Sequence, residues 1–381
     1  MISIENKLNC CGCSACSNIC PKNAIKMVPD SEGFLYPEID IKNCIDCGLC
    51  EKICPVNINR PEGEYKTYGA FNLNTDERLK SSSGGIFALL AKKVLEDKGI
   101  VFGASFDENL NLSHNFTDNE YDLEKLMGSK YLQSNTEKSY KEVENKLKDG
   151  IKVLYSGTPC QIAGIKSYLK KEYDNLYLVD IICHGAPSPL AFKEYIKYLE
   201  KKYKSKVKSY NFRAKPNGWR SYQNLITFDN EKKIYENINE NLFMRAFLKN
   251  VILRPSCHSC AFKTVPKDSD ITLGDFWGIS KASDYKDDDK GLSLIVVNTQ
   301  KGNNLLQSIK ENVYLFETDN NSSLKFNSSA VKSSVAHPKR DEFLKDLTSD
   351  NFKKKVYKYL NLGFKGELKL KIKSILKKLS K

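Results

Sequence analysis

Two repeated cysteine motifs constrain the N-terminal end of this chain more strongly than any other feature of the sequence. The pattern C-x2-C-x2-C-x3-C-P occurs at Cys10, Cys13, Cys16, Cys20 and Pro21, and again at Cys44, Cys47, Cys50, Cys54 and Pro55. In two-cluster ferredoxins with this pattern, the cysteine before the proline ligates the cluster of the other motif. We therefore predict two 4Fe–4S clusters, one on Cys10, Cys13, Cys16 and Cys54 and the other on Cys44, Cys47, Cys50 and Cys20.

Structural zinc is the alternative for these thiols. Zinc sites built from four thiolates usually have two separated pairs of cysteines. Here three cysteines fall within seven residues in each of two copies, and this denser spacing disfavours zinc. Cys11 breaks the register between the two copies, so we expect a reduced thiol that ligates neither cluster.

Composition and charge narrow the class of protein. The chain has 381 residues, 40% hydrophobic and 28% charged, which is typical of a globular protein of two or three domains. Cluster thiolates require a reducing compartment, and the sequence shows no signal peptide and no apolar run of about 18 residues, so we predict a cytoplasmic location. Of the net charge of +13, residues 351–381 contribute +10, from eleven Lys and one Glu. The nearly neutral remainder argues against nucleic-acid binding.

Strand-like and helix-like segments alternate beyond a linker at Arg60 and Pro61. Apolar strand segments at 67–72, 151–155 and 176–182 are followed by helical segments at 86–95, 162–171 and 189–202. This alternation predicts an α/β sheet. The expected fold class is α+β and α/β, with a bacterial-type two-cluster ferredoxin fold before a mixed α/β domain. The predicted divisions are a ferredoxin domain at 1–60, the α/β domain at 64–345 (parts 64–148 and 149–345) and a basic amphipathic tail at 350–381.

Polar turns follow several of the predicted strands, where α/β sheets place ligand residues. The turn before the helix at 86–95 reads Ser81, Ser82, Ser83, Gly84 and Gly85. The amide groups of such a turn suit a phosphate or pyrophosphate, although a Ser/Gly turn also serves as an ordinary helix N-cap. The remaining cysteines lie at two strand ends and in one loop, namely Cys160, Cys183, Cys257 and Cys260. Four ordinary buried thiols would also explain them.

These segments together resemble the coenzyme F420 (deazaflavin) hydrogenase/dehydrogenase beta-subunit family, of which plant 7-hydroxymethyl-chlorophyll reductase is a relative. The matching segments, over roughly residues 65–340, are Ser83-Gly84-Gly85, Gly157-Thr158-Pro159-Cys160-Gln161, Cys183-His184-Gly185, Cys257-x2-Cys260 and Gly274-Asp275-Phe276-Trp277-Gly278. The resemblance implies a bound FAD and a third 4Fe–4S cluster on Cys160, Cys183, Cys257 and Cys260, with zinc as the alternative. The residues expected to contact FAD are Ser82, Ser83, Gly84, Gly85, Lys130, Gly157, Thr158 and Gln161.

His184 is the candidate catalytic residue, because an imidazole beside the flavin would donate or accept a proton. A histidine that hydrogen-bonds a backbone carbonyl is the structural alternative. The function expected from the resemblance is an iron–sulfur flavoprotein oxidoreductase. It would pass electrons from a low-potential donor, such as ferredoxin, through 4Fe–4S clusters to FAD and on to a small-molecule or glycan-linked substrate, as in surface-polysaccharide synthesis. The alternatives are an electron-relay subunit of a larger hydrogenase or dehydrogenase and a non-catalytic scaffold with structural clusters.

The C-terminal tail has an amphipathic pattern. The apolar positions Leu368, Ile372, Ile375, Leu376 and Leu379 recur at helical spacing between lysines. A Lys-rich face opposite an aliphatic stripe is typical of a helix that lies on an anionic membrane surface, although such a stripe also packs on a protein core or a partner. We therefore predict peripheral contact of the tail with the inner face of the membrane.

Overall fold

The computed structural model describes residues 2–283 and 285–360. Within these ranges, the strands are β1 Ile25–Pro29, β2 Leu35–Ile39, β3 Lys66–Asn72, β4 Ile100–Phe106, β5 Leu112–Thr117, β6 Val153–Gly157, β7 Leu176–Ile181, β8 Val207–Ala214, β9 Gln223–Phe228, β10 Lys233–Asn237, β11 Ile271–Asp275, β12 Ser293–Val297 and β13 Val313–Thr318. The helices are α1 Ala15–Ile19, α2 Leu49–Lys52, α3 Thr75–Lys80, α4 Ile86–Glu96, α5 Leu123–Leu126, α6 Ser139–Lys148, α7 Pro159–Leu169, α8 Pro189–Tyr203, α9 Leu242–Leu248, α10 Ile279–Ala282, α11 Gln300–Gln307, α12 Asn320–Lys325, α13 Arg340–Leu344 and α14 Phe352–Tyr359.

The repeat seen in the two cysteine motifs is also a repeat of backbone conformation. In each motif a left-handed residue begins a short helix that carries the third cysteine. Ser14, with φ 63°, begins α1, and Gly48, with φ 69°, begins α2. The antiparallel hairpin β1–β2 connects the two motifs, with Ile25 paired to Ile39. The N-terminal part therefore has the internal symmetry expected of a two-cluster ferredoxin.

An eight-stranded mixed sheet forms the body of the protein, in the order β13-β3-β12-β11-β7-β6-β4-β5. The neighbours β4, β6, β7 and β11 are parallel, whereas β12 runs antiparallel to both β11 and β3. The carboxyl ends of β3, β6, β7 and β11 consequently lie at one edge of the sheet. All five residues of β12 are buried, as expected for a strand covered on both faces. The expected mixed α/β fold is confirmed.

A smaller antiparallel sheet, in the order β10-β9-β8, packs with α8, α9 and α14 around an aromatic core. Phe212, Phe228 and Phe243 in this core are fully buried. Residues 352–359, at the start of the predicted tail, form α14, whose Phe352 and Val356 are buried in the same core. The amphipathic pattern after residue 366 lies outside the described residues.

The ferredoxin part is docked on the body. Cys11, Cys13 and Ile53 share a hydrophobic cluster with residues of β6 and α7. Gly164 in α7 permits this approach, because a Cβ atom at that position would lie 2.9 Å from the Cβ of Cys13. Both predicted parts of the α/β domain, 64–148 and 149–345, contribute strands to the same large sheet. In the described parts of the chain, no helix combines the length and the apolar character needed to cross a bilayer.

Candidate iron–sulfur and cofactor sites

The structure groups twelve cysteines into three sets of four, each around its own cavity. The first cavity is lined by Cys10, Cys13, Cys16 and Cys54, and the second by Cys20, Cys44, Cys47 and Cys50. The third is lined by Cys160, Cys183, Cys257 and Cys260. In the first two sets the cysteine before the proline joins the set of the other motif, which is the crossed arrangement that the spacing predicts.

In the first set, Cys13 and Cys16 are buried, and Cys10 and Cys54 are partly exposed. Burial, with the neighbouring Cys10 and Cys54 thiols as further causes, raises the pKa of Cys16 to about 12. The residues of the second set are more accessible, and the Cys47 side chain is exposed. Backbone amides approach sulfur there, with Ala24 N donating to Cys20 Sγ at 3.3 Å and Ile2 N donating to Cys50 Sγ at 3.4 Å. Such amide–sulfur bonds are typical of cluster ligands and influence the potential of the cluster.

The third set is assembled from three separate regions at the carboxyl edge of the large sheet. Cys160 is the second residue of α7, just after β6, and Cys183 follows β7. Cys257 belongs to a short 3-10 turn, Pro255–Ser259, and Cys260 follows that turn. Their cavity has a volume of about 50 Å³, several times the roughly 10–15 Å³ that one water molecule needs. The thiols thus surround a space larger than a single solvent site.

The electrostatic environment of the third cavity suits a strongly anionic group. Arg254, Lys263 and Lys267 line the cavity, and its lining contains no Asp or Glu among the described residues. Lys263 Nζ donates to the carbonyl of Cys183, and Lys267 Nζ donates to Phe262 O at 2.8 Å. Burial raises the pKa of Cys183 and of Cys257 to about 12. Thiolates would therefore form here only with compensation from a metal centre and these cations.

The two metal centres considered for these thiols are a zinc ion and a 4Fe–4S cluster. A zinc ion at about 2.3 Å from four sulfurs brings those sulfurs close to a single point. In residues 2–283 and 285–360, no three His, Cys, Asp or Glu side chains converge closely enough to hold a single ion. The four thiols of each set line a cavity, and four thiolates are the usual ligand set of a 4Fe–4S cluster. The ligand assignments for the three sets stay predictions.

Cys11 and Arg254 lie between the first and third sets. Cys11 is buried and lines both cavities. Its side chain contacts the thiols of both Cys13 and Cys160, and this contact with Cys13 is the largest cause that raises the pKa of Cys11. Arg254 also lines the third cavity and approaches Cys10 Sγ, with its Nη2 at 3.7 Å. The two sets are therefore connected by direct side-chain contacts.

The structure places His184 at the third cavity. Its Nε2 lies 2.7 Å from Asn250 Oδ1, and its ring packs edge-on against Phe247. Burial lowers the pKa of His184, so the neutral imidazole is favoured. The catalytic role of His184 stays a prediction, and its contacts in this structure position the Cys183 loop.

The Ser/Gly turn is held between β3 and β12. Gly84 N donates to Ser293 Oγ at 2.9 Å, and Ser83 Oγ donates to Leu292 O at 2.8 Å. Ser82 Oγ accepts from Ser129 N at 2.7 Å. Gly85, with φ 84°, precedes α4, and no side chain caps this helix. Most polar groups of the turn thus have partners, whereas the first amides of α4 lack a side-chain acceptor.

The other residues expected to contact FAD also have internal partners. Thr158 and Gln161 form a capping box at the start of α7, and Gln161 Nε2 donates to Ser134 O at 3.0 Å. Gly157 faces the Gln161 side chain, since a Cβ there would lie 3.2 Å from Gln161 Oε1. Lys130 Nζ donates to the carbonyls of Lys125 and Met127, and burial lowers its pKa to about 7. Their roles as cofactor contacts stay predictions.

The sequence did not indicate a buried cation, Arg213, that lies beside the Ser/Gly turn. Arg213 in β8 forms an ion pair with Asp275 at the end of β11, with Nη1 and Oδ2 2.9 Å apart, and Nη2 donates to Ser82 O at 3.1 Å. Its guanidinium lies 3.8 Å from the Tyr222 ring centroid, and its Nε is buried without a hydrogen-bond partner in the described structure. Arg213 is 62 residues from Asp275, so no local motif indicates the pair.

Two family models match the chain. Residues 150–322 match the C terminus of the beta subunit of coenzyme F420 hydrogenase/dehydrogenase, and residues 9–58 match a 4Fe–4S dicluster domain. A chain of the F420-reducing NiFe hydrogenase complex from Methanosarcina barkeri, in a xenon-derivatised structure, is similar with 18% identity and a TM-score of 0.46. That match covers 80% of this chain and 93% of the other. No curated protein matches the sequence.

The two family models confirm the family that the motifs resemble. The dicluster domain contains both repeated motifs, and the beta-subunit model contains Cys160, Cys183, Cys257 and Cys260. The family is one of redox proteins with iron–sulfur clusters. The chain is therefore an iron–sulfur electron-transfer protein whose residues 150–322 belong to the coenzyme F420 hydrogenase/dehydrogenase beta-subunit family.

Proposed function

We propose that this protein is an iron–sulfur flavoprotein oxidoreductase that passes electrons from a low-potential donor to an organic substrate. The observation that carries the proposal is the presence of three sets of four cysteines, each around its own cavity. Cys11 lines both the first and the third cavity, and Arg254 lines the third and contacts Cys10 of the first set. When bound, 4Fe–4S clusters would carry single electrons, and FAD would exchange two with the substrate.

The exposure of the cysteines to solvent supports a direction for the proposed electron path. Cys47, of the second set, is exposed, whereas Cys13 and Cys16 of the first set are buried against the body. An external donor would therefore approach the second set, and the path would run inward through the first set to the third. A donor such as ferredoxin fits this entry point, because the exposed Ile41 and Ile45 flank it as an apolar contact surface.

A third 4Fe–4S cluster on Cys160, Cys183, Cys257 and Cys260 is part of the proposal. Arg254, Lys263 and Lys267 would offset the negative charge of four thiolates and a cluster. Each lysine is already oriented by backbone carbonyls, so little ordering would accompany binding. Structural zinc would share the ligands but not the role in electron transfer.

FAD is proposed to bind at the carboxyl edge of the sheet, near the start of α4. The uncapped first amides of α4 suit a pyrophosphate, and the unpartnered Nε of Arg213 offers a further donor. Burial lowers the pKa of Lys130 to about 7, and an anionic pyrophosphate beside it would stabilise the protonated form. Trp277, stacked on Trp219 with ring centroids 4.5 Å apart, lies close to Arg213 and provides an aromatic wall.

An electron-relay subunit without a substrate of its own is the second candidate. The matched family model describes a beta subunit, which supports the expectation of a partner protein. In that case the third set would deliver electrons to the partner. The two candidates differ in whether the protein has an organic substrate of its own. That substrate would be a small molecule or a glycan-linked compound of surface-polysaccharide synthesis.

We also propose that the tail contacts the membrane and that the protein works in the cytoplasm.

Anaerobic purification and cofactor analysis test the proposed function. We expect about twelve iron atoms per chain, from four cysteines for each 4Fe–4S cluster, together with FAD released by acid. Dithionite should bleach the visible absorbance of both kinds of cofactor. Fully reconstituted protein with about eight iron atoms would contradict the third cluster. Iron-replete protein that neither retains nor binds FAD would contradict the oxidoreductase and favour the relay subunit.

A further inference from the structure

A buried arginine of the body reaches into the ferredoxin part of the chain. Arg254 is 1% exposed and lies just before the turn that carries Cys257. Its Nε donates to Cys10 O at 2.9 Å, and its Nη2 donates to Leu35 O at 2.9 Å. Its Nη1 lies 3.3 Å from Gln133 Oε1. Acceptors on three separate segments therefore hold the guanidinium in one orientation.

The same guanidinium contacts a predicted cluster ligand. Nη2 of Arg254 lies 3.7 Å from Cys10 Sγ, and the guanidinium carbon lies 4.3 Å from the centroid of the Tyr36 ring. Gly12 leaves room for it, because a Cβ atom at that position would lie 2.8 Å from Nη1. The backbone of the first cysteine motif is thus shaped around this cation.

We propose that Arg254 is a positioning residue that raises the reduction potential of the first cluster relative to the second and so favours electron movement toward the body. This inference rests on the proposed electron path. Reduction of a 4Fe–4S cluster adds one electron and breaks no bond, and it takes the cluster with its four thiolates from a charge of minus two to minus three. A permanent cation in a buried site is poorly screened and stabilises the more negative state.

The second site shows why such a cation is needed. Backbone amides donate to thiols at both sites, to Cys20 and Cys50 in the second set and to Cys16 and Cys54 in the first. The sites differ in exposure, because Cys47 of the second set is exposed to water, which stabilises added charge. At the first site, Cys13 and Cys16 are buried, and this burial opposes the added electron, because a low-dielectric environment disfavours a higher charge. Without compensation, the buried first cluster would be the harder one to reduce, and electrons would stay at the surface. Arg254 supplies that compensation.

A redox titration of the anaerobic full chain, followed by electron paramagnetic resonance, tests the inference. Arg254→Gln removes the charge, and we expect the equilibrium constant for electron transfer from the second to the first cluster to fall at least about tenfold, which corresponds to about 59 mV for a one-electron couple. Cys47→Ser, which alters a ligand of the second set, assigns the signals. Arg254→Lys retains the charge and should shift the first potential less than Arg254→Gln does.

Arg60→Gln is the matched control, because Arg60 also connects the ferredoxin part to the body. Its Nη1 lies 2.9 Å from Oδ2 of Asp268, and its guanidinium carbon lies 4.8 Å from the centroid of the Phe262 ring. Its Nη2 also donates to the carbonyl of Pro55, next to Cys54, but Asp268 pairs with its charge, so we expect a smaller shift of the first potential than in Arg254→Gln and no shift of the second. If Arg254→Gln fails to assemble, Gln133→Glu places a carboxylate beside the same guanidinium in a side chain of nearly the same shape, and should lower the first potential.

Unchanged potentials in Arg254→Gln would overturn the inference, as would an equal shift in Arg60→Gln. If Gln133→Glu is used instead, an unchanged first potential would do the same. Wild-type protein without flavin or a third cluster would contradict the proposed function. That result would leave the comparison of the two N-terminal potentials intact, so the two failures are distinguishable.

Discussion

At the scale of single residues, Arg213 offers a direct test of the flavin site. Arg213→Lys retains the charge beside Asp275 but removes the unpartnered Nε and the planar fork. Loss of one hydrogen bond to FAD should weaken binding about tenfold, or about 1.4 kcal/mol. Equilibrium titration of deflavinated protein with FAD measures this change.

Arg220→Lys is the control for that experiment, because Arg220 is more than half exposed and its ion-pair partner is Asp287, not Asp275. It should bind FAD like the wild type, and the iron content of both variants should match that of the wild type. Equal FAD affinity in Arg213→Lys and wild type would show that the flavin does not bind beside the Ser/Gly turn. Gly84 is a poorer probe, since a Cβ there would lie 2.4 Å from Ala70 O and disturb the sheet itself.

Iron counting tests the third set of cysteines. The double variant Cys257→Ser and Cys260→Ser should lose about four of about twelve iron atoms, because a cluster requires its four thiolate ligands. Cys11→Ser changes a thiol in the same cavity that belongs to no set, and it should retain all of the iron. If the double variant keeps the full iron content, these two residues are not ligands.

Particular residues show what the sequence could and could not predict. The grouping of Cys54 with the first motif follows from the chemistry of repeated motifs and needs no knowledge of the fold. Arg254 contacts Cys10 across 244 positions of sequence, so only the docking of the two parts brings them together. Thr158 and Gln161 carry the polar groups of a ligand turn, but the same groups satisfy the first amides of α7. Sequence spacing does not separate these two uses.

At the scale of elements, the β1–β2 hairpin docks the ferredoxin part on α8. Ser188 Oγ donates to Glu32 O at 2.6 Å, and a Cβ atom on Gly33 would lie 2.7 Å from Leu190 N. Gly33→Ala should therefore loosen the docking and speed cleavage by a Glu-specific protease at the exposed linker residues Glu62 and Glu64 several-fold.

Gly150→Ala is the control, because Gly150 has a similar φ of 78° and an added Cβ there would meet no atom within 4 Å. Both variants carry the same backbone strain, so only the contact with α8 differs. Equal cleavage rates for the two variants would show that the hairpin does not control the docking.

The central strand β7 contains a buried carboxyl group, Asp180, whose pKa burial raises to about 7. The unfolded chain has an Asp pKa near 3.9, so the folded state binds this proton more tightly. The resulting stability is fully present below about pH 4 and is lost at up to about 1.4 kcal/mol per pH unit as the pH rises to about 7. Asp180→Asn should remove this dependence.

Anaerobic urea unfolding at pH 5, 6 and 7 measures the effect of Asp180. The stability of Asp180→Asn relative to wild type should increase over this range. Asp118→Asn changes an exposed residue and should follow the wild type at every pH. A constant difference between Asp180→Asn and wild type would show that Asp180 does not titrate in this window.

At the scale of the whole molecule, the uneven charge distribution predicts membrane contact. Residues 351–381 carry a net charge of +10, and each Lys near an anionic surface contributes about 1 kcal/mol. The full chain should co-sediment with vesicles that contain anionic lipid at low salt, and a chain that ends at Gly366 should not. Equal binding of both chains, or binding by neither, would exclude the tail as an anchor.

The third cavity has a consequence for how the protein is made. Its lining includes Leu8, Cys11 and Val56 from the ferredoxin part, and Ser329 from near the other end of the chain. Its wall is thus incomplete until the ribosome has synthesised the chain beyond residue 329. The proposed third cluster would therefore be inserted only after residue 329 has been synthesised, whereas iron could reach the N-terminal motifs earlier during translation.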